Sequence, residues 1–371
     1  MQLMTQKFDL DYKNQMVQKA PVIDAGIVKK SETQSKKEDK TFIVAEEGSS
    51  NSKSIHFNTN TLEEAAYFLE AYRQENALIV AGGLDVVREL KIKYLLNTPH
   101  ALINLKKIPG LTYIKQDTNQ VKIGALTRAS QIAQSKIIQE KYPVLAQAAA
   151  LMGTPQIRNM ATLSGSICQE INCWYYKAAN NQFNCIRKGG DICHAVEGAN
   201  KWMFSIIESK SCKGCHATCQ SDLSIALTAL DAVIVTTQRE IPISEFYSAN
   251  FPSGNVLHVG EIITEIVLPS QSAQTRSIYM KYALRKSFDH PLISAACLKD
   301  EHGIKIVLGG VAMVPYVVNG VNEIIKGQEI TEELAIAVGE FSVRGAKPLS
   351  ENTWKVPVVS AYVKRALMAL G

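Results

Sequence analysis

Seven of the eight cysteines (Cys168, Cys173, Cys185, Cys193, Cys212, Cys215, Cys219) fall within one 52-residue stretch, and Cys297 stands apart. An even scatter would read as small buried hydrophobes, whereas clustered thiols in a chain with no export signal favour metal or redox chemistry over disulfides. Cys173, Cys185, Cys193 and Cys215 are separated by 11, 7 and 21 residues. Four thiolates on loops free to converge are what an iron–sulfur cluster requires. Cys212-x2-Cys215-x3-Cys219 with His194 or His216 also supplies tetrahedral ligands for zinc, and inert buried thiols are a third reading. Lys188-Gly189-Gly190 allows a tight turn between Cys185 and Cys193 and lets glycine N–H groups approach cluster sulfurs.

A second chemistry lies upstream. Ile79-Val80-Ala81-Gly82-Gly83-Leu84-Asp85-Val86 sets two glycines directly after a strand-like run. That arrangement suits a pyrophosphate: no side chain intervenes and backbone N–H groups turn toward the anion. It is not the G-x-G-x-x-G of a dinucleotide-binding βαβ unit, and Gly-Gly after a strand is also an ordinary turn. A second small-residue loop, Ala161-Thr162-Leu163-Ser164-Gly165-Ser166, follows about eighty residues later. The two loops together could grip one extended dinucleotide from both sides.

The elements that must position these loops are legible in outline. SIHF reads as a strand, and Thr61 with Glu64 forms a capping box ahead of a helix carrying Leu62, Ala65, Ala66, Leu69 and Tyr72. ALIVA reads as a buried strand entering the glycines, and LDVVRELKIKY as a helix leaving them. LTYIKQDTNQVKIGA reads as a hairpin turning at Asp117 to Asn119, and YPVLAQAAALMG as a helix stopped by Gly153. The pattern is irregular from Thr154 to Gln220, and then DLSIALTALDAVIVTT resumes as helix and strand. From Arg276 onward, alternating strands followed by two helices suggest a separate α+β domain. Residues 1–53 hold nine lysines and eight acidic residues with little apolar content, the composition of a polar arm. The net charge is +5, too mild for a nucleic-acid partner. No apolar run reaches the roughly 18 residues of a membrane span. The first residues lack a secretory signal's apolar core, so the expected location is cytoplasmic.

Three motifs in this order resemble a known family. AGGLDVVRELK is similar to the first FAD loop, usually AGGTDL, of the flavoprotein subunits of the xanthine dehydrogenase and carbon monoxide dehydrogenase (molybdenum hydroxylase) family. QIRNMATLSGS is similar to their second loop, usually R-N-x-A/G-T-x-G-G-N. The run from CWYYK through NCIRKGGDIC and EGANKW to SDLSIALTALDA resembles the branch holding an extra [4Fe–4S] cluster, as in aldehyde oxidoreductase FAD subunits and 4-hydroxybenzoyl-CoA reductase β subunits. YMKYALRKSFDHP, VLGGVAMVP and KPLSENTWKVP extend the match to the C-terminus, from about Ser54 onward.

The resemblance implies an α+β chain. An FAD-binding domain over 54–271, a two-subdomain fold of the vanillyl-alcohol-oxidase/PCMH type, would carry the cysteine insertion at about 168–219. A smaller α+β domain would follow over 272–371. It puts Ile79, Val80, Ala81, Gly82, Gly83, Leu84, Asp85 and Val86 along the FAD pyrophosphate, and Thr162, Gly165 and Ser166 on the second loop. Asp222 falls at the adenosine part, and Ile263 and Lys281 at the flavin end. Cys173, Cys185, Cys193 and Cys215 would hold the [4Fe–4S] cluster, with Cys215 preferred to Cys212 by its spacing from Ser221-Asp222. The implied role is an electron relay between FAD and the cluster here, a molybdenum-cofactor large subunit and a [2Fe–2S] small subunit, with no catalytic acid, base or nucleophile in this chain. The other classes are a free-standing FAD oxidase and a non-redox scaffold with a zinc knuckle and an empty flavin cleft. Three positions depart from the pattern. Leu84 replaces a phosphate-facing threonine, Ser166 replaces asparagine, and Ser164 replaces a glycine, where a positive φ would make it an obstruction.

Overall fold

Three short runs, IHFN, ALIV and ALIN, form β1 (Ile55–Asn58), β2 (Ala77–Val80) and β3 (Ala101–Asn104), parallel strands in the order β1-β3-β2. They belong to a computed structural model that describes residues 54–207, 214–249 and 254–371. The arm expected over 1–53 and Cys212 lie outside the described residues. Thr61 caps helix α1 (Leu62–Ala71) by accepting from the Glu64 N–H. The Glu64 carboxylate reaches back to the N–H of Asn60, one residue before the cap. Helix α2 (Leu84–Ile92) begins at Gly83 directly after β2. β2 was expected to be buried and is half-buried throughout, because Ala77, Leu78 and Ile79 line an open cavity.

The expected hairpin is β4 (Ile114–Asp117) and β5 (Gln120–Gly124), with Asp117 paired to Gln120 across a two-residue turn. They join β8 (Ile263–Pro269), β6 (Val233–Thr236) and β7 (Glu240–Pro242) in an antiparallel sheet ordered β4-β5-β8-β6-β7. Helices α3 (Pro143–Leu151), α4 (Leu163–Ile167) and α5 (Asp222–Ala229) pack with this sheet in one core. In α5 every residue is buried.

The C-terminal strands form a third sheet, β12-β11-β10-β9, from β9 (Arg276–Tyr282), β10 (Ile293–Asp300), β11 (Gly303–Gly309) and β12 (Tyr316–Val317). Strand alternation sends Ile293, Ala295 and Cys297 into a core with α6 (Glu332–Phe341) and α7 (Lys355–Leu370). Ala296, Leu298, Tyr279 and Val307 enter the core of α3 and α5 instead. The strands and helices expected after Arg276 are present, but their sheet is covered on both faces and shares a core with the preceding part of the chain. The architecture is α+β, with parallel and antiparallel sheets kept apart.

Candidate functional site

The two glycine-bearing loops meet. A Cβ on Gly82 would collide with the carbonyl oxygen of Met160, just before the second loop. Only a residue without a side chain lets these backbones approach so closely. A Cβ on Gly83 would make only ordinary van der Waals contacts, with Val80 and Val87, but its φ of +78° is left-handed. That backbone turns the chain from β2 into α2, so the first glycine answers a packing demand and the second a conformational one. Across the contact, Thr162 caps α4 by accepting from the Gly165 N–H at 3.2 Å.

The serine departures have structural explanations. Ser164 lies inside α4 with no positive φ and donates to the Ala125 carbonyl at 2.9 Å. The obstruction expected there does not arise. The Ser166 hydroxyl is buried and 3.1 Å from that of Ser221, which caps α5. Leu84 puts an apolar, 40% exposed side chain on the wall of the cavity beside these loops.

Both loops line one cavity of about 1270 Å³, larger than the ~300–1,000 Å³ usual for small-molecule sites. Of the residues singled out in the sequence, Ile79, Ala81, Gly82, Gly83, Leu84, Asp85, Val86, Thr162, Gly165, Ser166, Asp222 and Ile263 line it. Val80 and Lys281 are outside the lining. Asp222, the first residue of α5, accepts from Tyr279 Oη at 2.6 Å and from Lys281 Nζ at 3.1 Å. Lys281 also donates to the Leu151 carbonyl at 2.9 Å, and both members of the ion pair are almost wholly buried. Burial raises the Asp222 carboxyl, and the Lys281 ammonium opposes that rise. The sequence reading set Asp222 at the adenosine part and Lys281 at the flavin end; the structure joins the two in one buried pair.

The cysteines gather in a different core. Cys173, Cys185 and Cys215 are buried among Tyr94, Tyr176 and Phe204, with Cys193 packed against them. The tight turn expected after Cys185 forms. Gly189 is left-handed at φ +87°, Gly190 N–H donates to the Cys185 carbonyl at 3.1 Å, and Ile186 N–H bonds the Ile192 carbonyl at 2.9 Å. Burial pushes the Cys173 thiol up to about 12, with Cys215 and Cys193 adding to the rise. It pushes Cys215 up to about 11, with contributions from Cys193 and Cys185. As free thiols Cys173 and Cys215 are uncharged at neutral pH. Among the described residues no group of three or more His, Cys, Asp or Glu side chains is placed to hold a single metal ion. Cys168 and Cys219 pack on the core of α3 and α5, and Cys297 is fully buried in β10.

Other cavity residues lie in runs matched to the family but were not singled out as site residues. His290, Leu284, Phe288 and Trp202 line it from the β9–β10 connection and the cysteine insertion. His290 is exposed on the cavity wall, and the protein around it, with the Lys177 and Lys281 ammoniums, lowers its pKa. His290 stands in the YMKYALRKSFDHP run already matched to the family, but nothing in that run assigns its ring to the cavity, which only the chain's return reveals. Among the described residues, no helix is long and apolar enough to cross a membrane.

Comparison with known proteins bears on this site. Residues 52–271 match the family described as the FAD binding domain in molybdopterin dehydrogenase. The chain is 30% identical over 311 residues to the aldehyde oxidoreductase FAD-binding subunit PaoB of Escherichia coli K12, covering 80% of this chain and 92% of that protein. It is 25% identical over 307 residues to the carbon monoxide dehydrogenase medium chain of Hydrogenophaga pseudoflava, covering 79% and 89%. Among solved structures it is similar to carbon monoxide dehydrogenase from Hydrogenophaga pseudoflava, with a TM-score of 0.65 at 22% identity over 85% of this chain and 96% of that one. At that identity the likeness establishes the fold.

Proposed function

The chain belongs to the family of FAD-binding domains in molybdopterin dehydrogenases, and from that membership we propose that it is the flavin-carrying relay subunit of a molybdenum hydroxylase complex. In this reading a large partner carries the molybdenum cofactor and oxidises substrate, and a small partner carries [2Fe–2S] clusters. Electrons pass between them and an external acceptor by way of this chain, in a heterotrimer or a dimer of heterotrimers in the cytoplasm. The observation that carries the reading is the meeting of the two glycine-bearing loops, at Gly82 and Met160, on the wall of one large cavity.

Bound FAD supplies one- and two-electron redox chemistry, and the protein supplies binding, orientation and electrostatics. Ile79 to Val86, with Thr162, Gly165 and Ser166, would flank the pyrophosphate. Asp222 would accept a hydroxyl of the adenosine part, since two hydrogen bonds leave a carboxylate further acceptor capacity. Ile263 would give the flavin end an apolar wall. Lys281 would act through Asp222, keeping it charged and fixed. No residue of this chain is needed as acid, base or nucleophile.

The proposal extends to a [4Fe–4S] cluster on Cys173, Cys185, Cys193 and Cys215 as a further relay or electron store. It is supported by three buried thiols and one partly buried thiol gathered around one core. A cubane spreads its thiolates more widely than a single ion does, which suits thiols that gather without converging on one point. Purified protein tests both parts at once, through its visible spectrum, its FAD-to-protein ratio and its iron, sulfide and zinc content after anaerobic preparation. Structured flavin bands over a broad cluster absorption are expected. A colourless protein with zinc and no iron would replace this reading with the scaffold.

A further inference from the structure

Asp85 is an acid where the flavin reading needs an anion. It sits in the first turn of α2, whose N-terminus opens on the cavity. The N–H groups and dipole there attract negative charge, and a carboxylate in the same turn opposes a phosphate. A cation from the cysteine insertion offsets it. Lys177 Nζ is 2.8 Å from Asp85 Oδ1, and the Lys177 side chain is only 3% exposed. The N–H of Glu170 donates to Asp85 Oδ2 at 3.0 Å.

Lys177 is in turn set by the cysteine segment, because its N–H donates to the Cys173 carbonyl at 2.8 Å. Two further contacts join α2 and the residues after it to that segment. Arg88 Nη1 donates to Asn172 Oδ1 at 3.1 Å, and the Tyr94 and Tyr176 rings lie 5.6 Å apart. From its cavity-facing first turn to the residues after it, α2 is therefore tied to the segment around Cys173.

We propose that Lys177 is a positioning residue for the cofactor. It cancels the charge of Asp85 and so makes the anion affinity of the flavin cavity depend on the folded cysteine insertion. This rests on the reading that the FAD pyrophosphate lies at the Gly82–Gly83 loop. A bridge that only tied two segments together would matter to stability and leave the charge requirement of the ligand untouched.

The test uses the full chain stripped of FAD and titrated with FAD, and with ADP as a flavin-free probe of the phosphate contact. The variants are Lys177→Gln, Asp85→Asn and the double variant, each checked for a cooperative thermal transition. An uncovered carboxylate a few ångströms from a bound anion should weaken FAD and ADP about tenfold in Lys177→Gln at low salt. That deficit should shrink as salt screens it. The double variant should bind within about threefold of wild type, and Asp85→Asn alone should bind more tightly, because no carboxylate then opposes the phosphate. Asp85→Asn keeps the inference testable if Lys177→Gln fails to fold. Equal FAD binding by wild type and Lys177→Gln, or weaker binding by Asp85→Asn, overturns this inference and leaves the flavin reading standing. A double variant as weak as Lys177→Gln overturns it too, by showing a structural tie. Wild type that binds neither probe overturns the flavin reading itself.

Discussion

Replacing Lys281 by Met should cost the protein much of its stability, in a way that depends on pH. The Asp222–Lys281 pair is almost wholly out of water. The substitution keeps the aliphatic volume but removes the bonds from Nζ to Asp222 and Leu151. Asp222 is left with Tyr279 Oη as its side-chain donor. Removing one partner of a buried ion pair costs about 3–5 kcal/mol because the other charge stays uncompensated. At roughly 2 °C per kcal/mol in a chain of this size, Tm should fall by about 6–10 °C. Burial already raises the Asp222 carboxyl and Lys281 opposes the rise, so the variant's carboxyl is raised further. A carboxyl raised in the folded state binds more protons there than in the unfolded chain. The penalty is thus absent below the unfolded value of about 4 and grows as pH climbs through the folded value. Thermal scans at pH 5 and pH 8 should show the larger deficit at pH 8, and Asp222→Asn in the same chain should recover most of it. A Tm within about 2 °C of wild type at pH 8, or a deficit equal at both pH values, would refute the argument.

Three further outcomes follow from the site. Gly82→Ala should force the two loops apart at a cost of about 1–3 kcal/mol, lowering flavin retention. Gly83→Val should act through its left-handed backbone; a folded variant of either with full FAD content would remove the loops from the cofactor's path. Serine at Cys173, Cys185, Cys193 or Cys215 should abolish or alter the low-temperature EPR signal of reduced protein, whereas serine at Cys168, Cys219 or Cys297 should not, and the reverse pattern would reassign the ligands. Leu84→Thr should tighten FAD about fivefold, the worth of one added hydrogen bond of about 1 kcal/mol, and an unchanged or weaker Kd in a flavin titration would show that no phosphate oxygen lies near residue 84.

What the sequence made legible were features fixed by local chemistry. Thr61 caps the helix it precedes, the hairpin turns where its polar residues stand, and Gly82-Gly83 ends a strand and starts a helix. Long-range geometry was not legible. Nothing near Asp222 or Lys281 in the chain shows that they touch, since β9 and α5 meet only when the third sheet docks. The half-burial of β2 depends on a cavity whose far wall comes from His290 and Phe288, some two hundred residues later. The resemblance set Asp85 along the pyrophosphate, but its partner Lys177 arrives from an irregular segment with no period to predict its course. Ser164 read as an obstruction because a resemblance transfers residue types and not dihedral angles.

The sheet of β9 to β12 bears on how this protein can be divided. A fragment ending at residue 271, where the family match stops, would lose Tyr279, Ala296, Leu298 and Val307 from the core of α3 and α5. It would also lose the Tyr279 N–H that bonds Gln147 and the Ser277 hydroxyl that accepts from Val144 N–H. Such a fragment would carry a raw apolar face where the third sheet had been, and it should aggregate when expressed alone. Grafting the flavin half onto another protein therefore means carrying the last hundred residues with it, and an evolutionary exchange of modules would have met the same constraint.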